Sequence, residues 1–192
     1  MQVRFADRTI EYDGTQLSSH WALNNFDLQG DSIVAFIGPC NVRRQKLVDL
    51  VDRKKNQPIL SEEMLHFIAE FFDLDLEKAI LRQRLLISLI KESLDAIIRN
   101  ADLVLVRKGD DIYAQGGGEQ MRKLSVSIAT LSPVSTLIHV GLNIKSEKAP
   151  VPAIGLKKIG IDARTLADQI LQSFREEIAG VRLARAKVKG VP

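Results

Sequence analysis

Residues 110–145 constrain the fold most, because apolar and polar residues alternate along two neighbouring stretches of this segment. In residues 122–129 (RKLSVSIA), Leu124, Val126 and Ile128 alternate with polar or small residues, and residues 136–144 (TLIHVGLNI) repeat the pattern. A period of two is typical of β-strands that bury one face. The short connection through Pro133 then predicts that the two strands pair.

Pairing of these two strands predicts one polar face made of small residues. If the apolar side chains of both strands share one face, the remaining side chains share the other. We expect that polar face to carry the following residues: Lys123, Ser125, Ser127, His139, Gly141 and Asn143. The alternative is that this face is only the solvated side of an antiparallel sheet.

Three consecutive glycines, Gly116, Gly117 and Gly118, precede the polar face. Glycine leaves backbone N–H groups accessible and lets a phosphate approach closely, so the run is a candidate binding loop. Lys123 would add a fixed positive charge for a carboxylate or a phosphate. The alternative is that the glycines form a flexible hairpin loop.

The other segments predict further strands and several helices. The apolar run 32–37 (SIVAFI) predicts a strand buried on both faces, and residues 38–41 after it are candidates for the rim of a pocket. Ser61 as an N-cap, followed by apolar residues at helical spacing, predicts a helix over residues 62–72. A second helix over residues 76–99 would complete a helical hairpin at 61–99, inserted between segments of the sheet.

The C-terminal part predicts one more helix and one more strand. We expect a helix from Asp162 or Thr165 to about residue 178, ended by Gly180, and an edge strand over the basic residues 182–189. The whole pattern predicts an α+β fold: a central, mainly antiparallel sheet with helices packed on one side. At 192 residues we expect a single domain, 1–192.

Composition limits the classes of partner. The net charge of +3 does not by itself indicate a nucleic-acid ligand, and no window is apolar enough for a membrane span. The single cysteine, Cys40, suits a reducing compartment, and no basic n-region precedes an apolar run, so we expect a cytoplasmic protein. No metal site is expected, because His20, His66 and His139 are far apart in sequence and no carboxylate–histidine motif joins them.

Two resemblances add to these expectations. Residues 122–129 and 138–144 resemble the lysine-bearing strand and the following strand of the biotin- and lipoate-protein ligase superfamily, which is similar to class II aminoacyl-tRNA synthetases. The segments YDGTQLSSHWA, SIVAFIGPC and MLHFIAEFF, with LRQRLL, resemble a conserved prokaryotic domain family of unknown function. The first resemblance implies the ligase fold, with Lys123 against the carbonyl or phosphate of an acyl-adenylate and His139 and Asn143 shaping the pocket.

The functional expectation follows from the polar face together with the ligase resemblance. We expect a protein that binds or activates a carboxylate-bearing small molecule or its adenylate, with Lys123 and His139 as catalytic candidates and ATP or an acyl-adenylate as the implied cofactor. The superfamily's upstream R-x-S/T-G-G-G-A loop has no counterpart in this chain. The alternative is therefore a non-catalytic protein- or RNA-binding module on a degenerate ligase-like fold. A homodimer formed through an edge strand is a further expectation.

Overall fold

A computed structural model describes residues 1–55, 59–98, 103–116, 120–147 and 149–191 of the chain. Short 3-10 turns lie at Arg44–Lys46 and Leu156–Ile159. The helices and strands follow in this order: β1 (Gln2–Ala6), α1 (Trp21–Phe26), β2 (Ser32–Val42), α2 (Leu50–Lys55), β3 (Ile59–Phe71), α3 (Leu76–Ile97), β4 (Leu103–Lys108), β5 (Asp111–Gly116), β6 (Arg122–Lys123), β7 (Ser125–Leu131), β8 (Thr136–Lys145) and α4 (Ala163–Lys187).

The strands form two sheets. The larger sheet has the order β1-β2-β3-β8-β7, and the smaller one has the order β4-β5-β6. Among the strands of the described residues, β1 and β2 pair in parallel, and the other neighbouring pairs are antiparallel. This confirms the predicted α+β fold with a central, mostly antiparallel sheet.

Each face of the larger sheet packs against a different layer. One face, which includes Phe67, Val140 and Leu142, packs against apolar side chains of α3 and α4 in the larger apolar core. We call it the helix face. The opposite face, which we call the cavity face, includes His66, His139 and Gly141, and it packs against the N-terminal segment and the chain between β2 and β3. The two long helices therefore lie on one side of the sheet.

Carboxylate caps define where the two long helices begin. Asp75 precedes α3 and accepts a hydrogen bond from the backbone N–H of Lys78 at 2.9 Å. Asp162 precedes α4 and accepts from the backbone N–H of Thr165 at 2.8 Å. Each cap satisfies an N–H group that has no partner inside the helix, which stabilises the start of the helix at that residue.

The predicted helical hairpin at residues 61–99 is wrong in its first half. Residues 59–71 form β3, the middle strand of the larger sheet, and only α3 is helical. The helical spacing of Met64, Phe67, Ile68 and Phe71 misled the interpretation, because a central strand buries both faces and its buried residues show no period of two.

The predicted C-terminal strand is also wrong. Gly180 does not end the helix, and α4 continues through the basic residues to Lys187. Alanine, leucine and arginine all favour helix there, and one glycine costs only about 1 kcal/mol against alanine inside a helix. Within the described part of the chain, no helix is long and apolar enough to cross a membrane.

Candidate functional site

A cavity of about 450 Å³ lies on the cavity face of the larger sheet. Its apolar lining comes from the sheet and from both ends of the β2–β3 connection, and includes Met64, Val126, Ile128, Leu47 and Ile59. Lysine, aspartate, asparagine and serine side chains surround this apolar surface. An apolar surface bordered by a few polar groups is the usual composition of a small-molecule site.

Lys123 enters the cavity from the junction between the two sheets. It is the last residue of β6, where it pairs with Tyr113 of β5, and Ser125 begins β7 in the other sheet. The backbone of Lys123 donates to the carbonyl of Pro152 at 2.8 Å and accepts from the N–H of Ile154 at 3.1 Å. Backbone contacts in both directions hold this lysine in place.

Lys123 forms an ion pair with Asp111 across the small sheet. The ammonium Nζ lies 2.7 Å from the carboxylate Oδ2, and both side chains are largely buried. Burial raises the pKa of Asp111, against the opposing effect of Lys123. Burial works to lower the pKa of Lys123, but the charge and hydrogen bond of Asp111, with smaller effects from Tyr113 and Asp52, raise that pKa above its usual value. Lys123 is therefore a cation at neutral pH.

Two buried histidines lie side by side on the cavity face, and one of them, His139, lines the cavity. Nδ1 of His66 lies 3.1 Å from Nε2 of His139, and Nε2 of His66 lies 3.2 Å from the carbonyl oxygen of Gly38. Burial lowers the pKa of His66 to about 3, although its hydrogen bond to Gly38 works to raise it. Burial and the neighbouring His66 lower the pKa of His139 well below its usual value. Both rings are neutral at pH values near 7.

Tyr12 covers the ring of His139 from the side of the N-terminal segment. The two rings stack with their centroids 3.7 Å apart and their planes at 15°. Burial raises the pKa of the Tyr12 hydroxyl, with further contributions from Cys40 and Asp13. Tyr12 pairs with Cys40 in an isolated bridge, which fixes the tyrosine over the sheet.

Asn143 connects β8 to Lys123 and β3. Its Nδ2 donates to the carbonyl of Lys123 at 3.3 Å, and its Oδ1 accepts from the Ser61 hydroxyl at 3.1 Å. Ser61 also approaches the carbonyl of Lys145 at 3.0 Å. Both polar ends of the Asn143 amide are therefore used in holding the cavity wall.

The structure brings together part of the predicted polar face. Lys123, His139 and Asn143 all line the cavity, and Gly141 lies in β8 between the last two. A Cβ atom at Gly141 would lie 2.8 Å from Cε of Met64 and 3.4 Å from Cε1 of His139. The absence of a side chain at Gly141 therefore leaves room for these two side chains.

The predicted position of the serines is wrong. Ser125 pairs with Leu142 and Ser127 with Val140, so both serines project toward the helix face rather than lying beside His139. The Ser125 hydroxyl accepts from the N–H of Ile112 at 2.7 Å. The Ser127 hydroxyl accepts from Gln83 at 2.6 Å and donates to the Asp110 carbonyl at 2.8 Å, although the residue borders the cavity.

The glycine run is described only at its first residue. Gly116 ends β5, and Gly117 and Gly118 lie outside the described residues. Residues 38–41, predicted as a pocket rim, contribute the Gly38 carbonyl that contacts His66. In the described ranges, no group of three or more histidine, cysteine, aspartate or glutamate side chains is placed to hold a metal ion.

Sequence reasoning missed three contributors to the site: Tyr12, His66 and Asp111. The predicted helix over residues 62–72 contains His66, and this wrong assignment hides its contact with His139. Asp111 lies two residues before Tyr113 on β5, so the side chains of both residues are on the same face of the strand. Because Tyr113 pairs with Lys123 of β6, a correct β5–β6 pairing would have predicted that Asp111 lies near Lys123. The stacking of Tyr12 on His139 has no signal in the sequence, because the two residues lie far apart along the chain and no shared pattern links them.

Comparisons with solved structures show the same fold in ligases at low identity. A biotin protein ligase from Aquifex aeolicus, solved in complex with biotin and ATP, aligns with a TM-score of 0.55 and 17% identity over 91% of this chain and 69% of that chain. A lipoate-protein ligase A bound with ATP aligns with a TM-score of 0.52 and 13% identity, over 93% of this chain and 86% of that one. These likenesses confirm the predicted ligase-like fold.

Two relatives are much more similar. A protein of unknown function from Pyrococcus horikoshii is 40% identical, with a TM-score of 0.90 and full coverage of both chains. An uncharacterized protein of Methanocaldococcus jannaschii is 38% identical over 185 residues, which is 93% of this chain and 80% of the relative. The model of a domain of unknown function, DUF366, matches residues 1–189. The chain therefore belongs to the DUF366 family.

Proposed function

We propose that the cavity binds a small molecule with an apolar body and one negatively charged group, either a carboxylate or the phosphate of its adenylate. The convergence of Lys123, His139 and Asn143 on one cavity supports this proposal most strongly. The apolar lining would accept the body of the ligand, and Lys123 would neutralise its charge. Biotin and ATP in the ligase complex with the same fold support a ligand of this class.

Lys123 keeps capacity for a ligand although it is paired with Asp111. An ammonium group carries three N–H donors, and the ion pair among the described residues uses one of them. The Asp111 carboxylate holds the lysine at the cavity and keeps it charged. A ligand carboxylate or phosphate ester could then accept a second hydrogen bond from the same ammonium group.

The charges lining the cavity do not fit a free triphosphate. Two lysines, Lys46 and Lys123, face four aspartates at positions 49, 52, 110 and 111, which leaves a formal balance of −2. Lys46 is already paired with Asp13 at 2.7 Å. A triphosphate would bring several more negative charges against these carboxylates without a matching set of cations. We therefore propose a singly charged ligand and derive no reaction step through ATP.

A thermal-shift screen of the full chain tests the proposal. The panel contains ATP, biotin, lipoate, octanoate and amino acids, and the variants are wild type, Lys123→Ala and Lys145→Ala. Lys145 is the matched control, because it forms an ion pair with Glu63 at 2.9 Å but does not line the cavity. A ligand at about 100 times its Kd stabilises by about 2.7 kcal/mol, which raises the Tm of a chain of this length by about 5–10 °C.

We expect an acid from the panel to shift wild type and Lys145→Ala but not Lys123→Ala. No shift with any panel member would refute the adenylate and carboxylate proposal. That result would favour the alternative, a protein- or RNA-binding module that keeps the sheet without a small-molecule ligand. Equal shifts in Lys123→Ala and wild type would place the ligand away from Lys123.

A further inference from the structure

The two buried histidines form a hydrogen-bond chain with only one possible direction. A backbone carbonyl can only accept, so Nε2 of His66, 3.2 Å from the Gly38 oxygen, must carry a proton. A neutral imidazole has one protonated nitrogen, so Nδ1 of His66 carries a lone pair. Nε2 of His139, 3.1 Å away, must then donate to it. The same rule leaves Nδ1 of His139 without a proton.

The lone pair on Nδ1 of His139 has no partner among the described residues, and the ring that carries it belongs to the cavity lining. The ring lines the cavity, although the residue is only 3% exposed. Among the described residues, no side chain or backbone group forms a hydrogen bond with Nδ1. The described side-chain atoms that are both fully enclosed and without a partner do not include Nδ1. Tyr12 stacks flat on the ring, so it does not supply a donor in the ring plane.

We propose that Nδ1 of His139 selects ligands that offer an N–H or O–H donor, and that His66 is the positioning residue that fixes this role. The inference rests on the proposed function of the same cavity and narrows its ligand class. The ligand is a carboxylate-bearing molecule, or its adenylate, that also carries an amide, ureido, amine or hydroxyl group. A ligand without the donor leaves a desolvated acceptor unpaired, so it should bind roughly 10- to 100-fold more weakly.

Nitrogen-15 NMR of histidine-labelled protein tests the chain without any ligand. In wild type near neutral pH, Nε2 of His66 and of His139 should both resonate as protonated nitrogens, and Nδ1 of His139 as a nitrogen with a lone pair. His66→Asn keeps an amide oxygen that can accept from His139, so it should preserve the tautomer of His139. His66→Leu removes the acceptor, so it should release that tautomer.

A proton on Nδ1 of His139 in wild type would overturn the inference, as would an unchanged tautomer in His66→Leu. If His66→Leu does not fold, the wild-type spectrum and the His66→Asn spectrum still decide the direction of the chain. The direction is thus tested independently of whether the cavity binds any panel acid.

A ligand series tests the selection. Octanoate is compared with hydroxyoctanoates whose hydroxyl is moved along the chain, on wild type and on His139→Phe. At least one isomer should bind wild type roughly 10- to 100-fold tighter than octanoate, and the preference should disappear in His139→Phe. If octanoate binds and no isomer exceeds it, selection by His139 is refuted. If no acid binds, the proposed function fails together with the selection, while the NMR spectra still decide the direction of the chain.

Discussion

Acid should destabilise this protein through the buried pair His66 and His139. In the unfolded chain a histidine takes up a proton near its ordinary pKa of 6.5, whereas burial lowers the pKa of His66 in the folded chain to about 3. Between these values the unfolded state binds the extra proton. Stability from His66 is therefore present above about pH 6.5 and is lost as the pH falls toward about 3.

The magnitude follows from proton linkage. One pH unit inside this window costs about 1.4 kcal/mol for one histidine, so His66 alone should remove about 3 kcal/mol between pH 6.5 and about 4.5. Burial of His66 is complete, so solvent does not screen this contribution. A loss of this size is a large fraction of the roughly 5–15 kcal/mol that stabilises a typical domain. His139 changes stability in the same direction, because its pKa is also lowered.

Urea unfolding at about pH 7 and at about pH 4.5 measures the effect on wild type, His66→Phe and Phe67→Leu. Phe67 is the matched control, because it is fully buried in the same strand but lies on the helix face and does not titrate. The free-energy difference between wild type and His66→Phe should shrink by about 3 kcal/mol at the lower pH. The difference for Phe67→Leu should stay constant, because carboxylate effects are common to all three proteins.

A constant difference for His66→Phe across the two pH values would refute the reasoning. It would mean that the folded protein accepts a proton on this pair as readily as the unfolded chain does.

Three further predictions concern the ion pair, the glycines and a buried carboxylate. Lys123→Met should lower the free energy of unfolding, measured in urea, by about 2 kcal/mol, because it leaves Asp111 without its cation. Adding Asp111→Asn to the same chain should recover part of that loss, and strictly additive losses would contradict an energetic coupling between Lys123 and Asp111. Gly38→Ala should destabilise by more than about 3 kcal/mol, because its Cβ would lie 1.9 Å from a backbone oxygen. In Gly141→Ala, the new Cβ would lie 2.8 Å from the terminal methyl of Met64, which can shift by a side-chain rotation, so the cost should be about 1 kcal/mol. Equal melting temperatures for the two glycine variants would contradict this difference. Glu70→Gln should lower the free energy of unfolding by about 1–2 kcal/mol less than Glu70→Ala does, as measured by thermal unfolding. Glutamine keeps a side-chain oxygen that can accept from the backbone N–H of His20 at 2.8 Å and from the Ser135 hydroxyl at 2.7 Å.

The sequence predicted the fold class well, because some segments carry an unambiguous pattern. The apolar run at 32–37 became the centre of β2, and the alternating segments became β7 and β8. The helix at 76–99 became α3, which ends at Ile97. The alternating segments and the helical spacing of α3 each have a period that fits one type of element, and the apolar run at 32–37 is too short for a typical helix.

The candidate site was harder to predict, because it depends on register. Leu124 lies between the two sheets, so Lys123 belongs to β6 while Ser125 begins β7. A continuous strand would have placed Lys123 and the two serines on the same face, as expected from alternation. The break at Leu124 is a tertiary feature: its N–H donates to Ile112 in the small sheet, and its carbonyl accepts from Asn143 in the large one.

The pairing of β3 with β8 has a consequence for how the chain folds. Ser61 contacts Asn143 across 82 positions, and His66 contacts His139 across 73. Closing loops of this length before any contact is gained is entropically slow, so these strands should pair late in folding. During synthesis the N-terminal strands leave the ribosome long before β8 exists, with one side of β3 unpaired. The cavity forms only after β8 has been made and has docked, so a ligand that binds it can report the completion of folding.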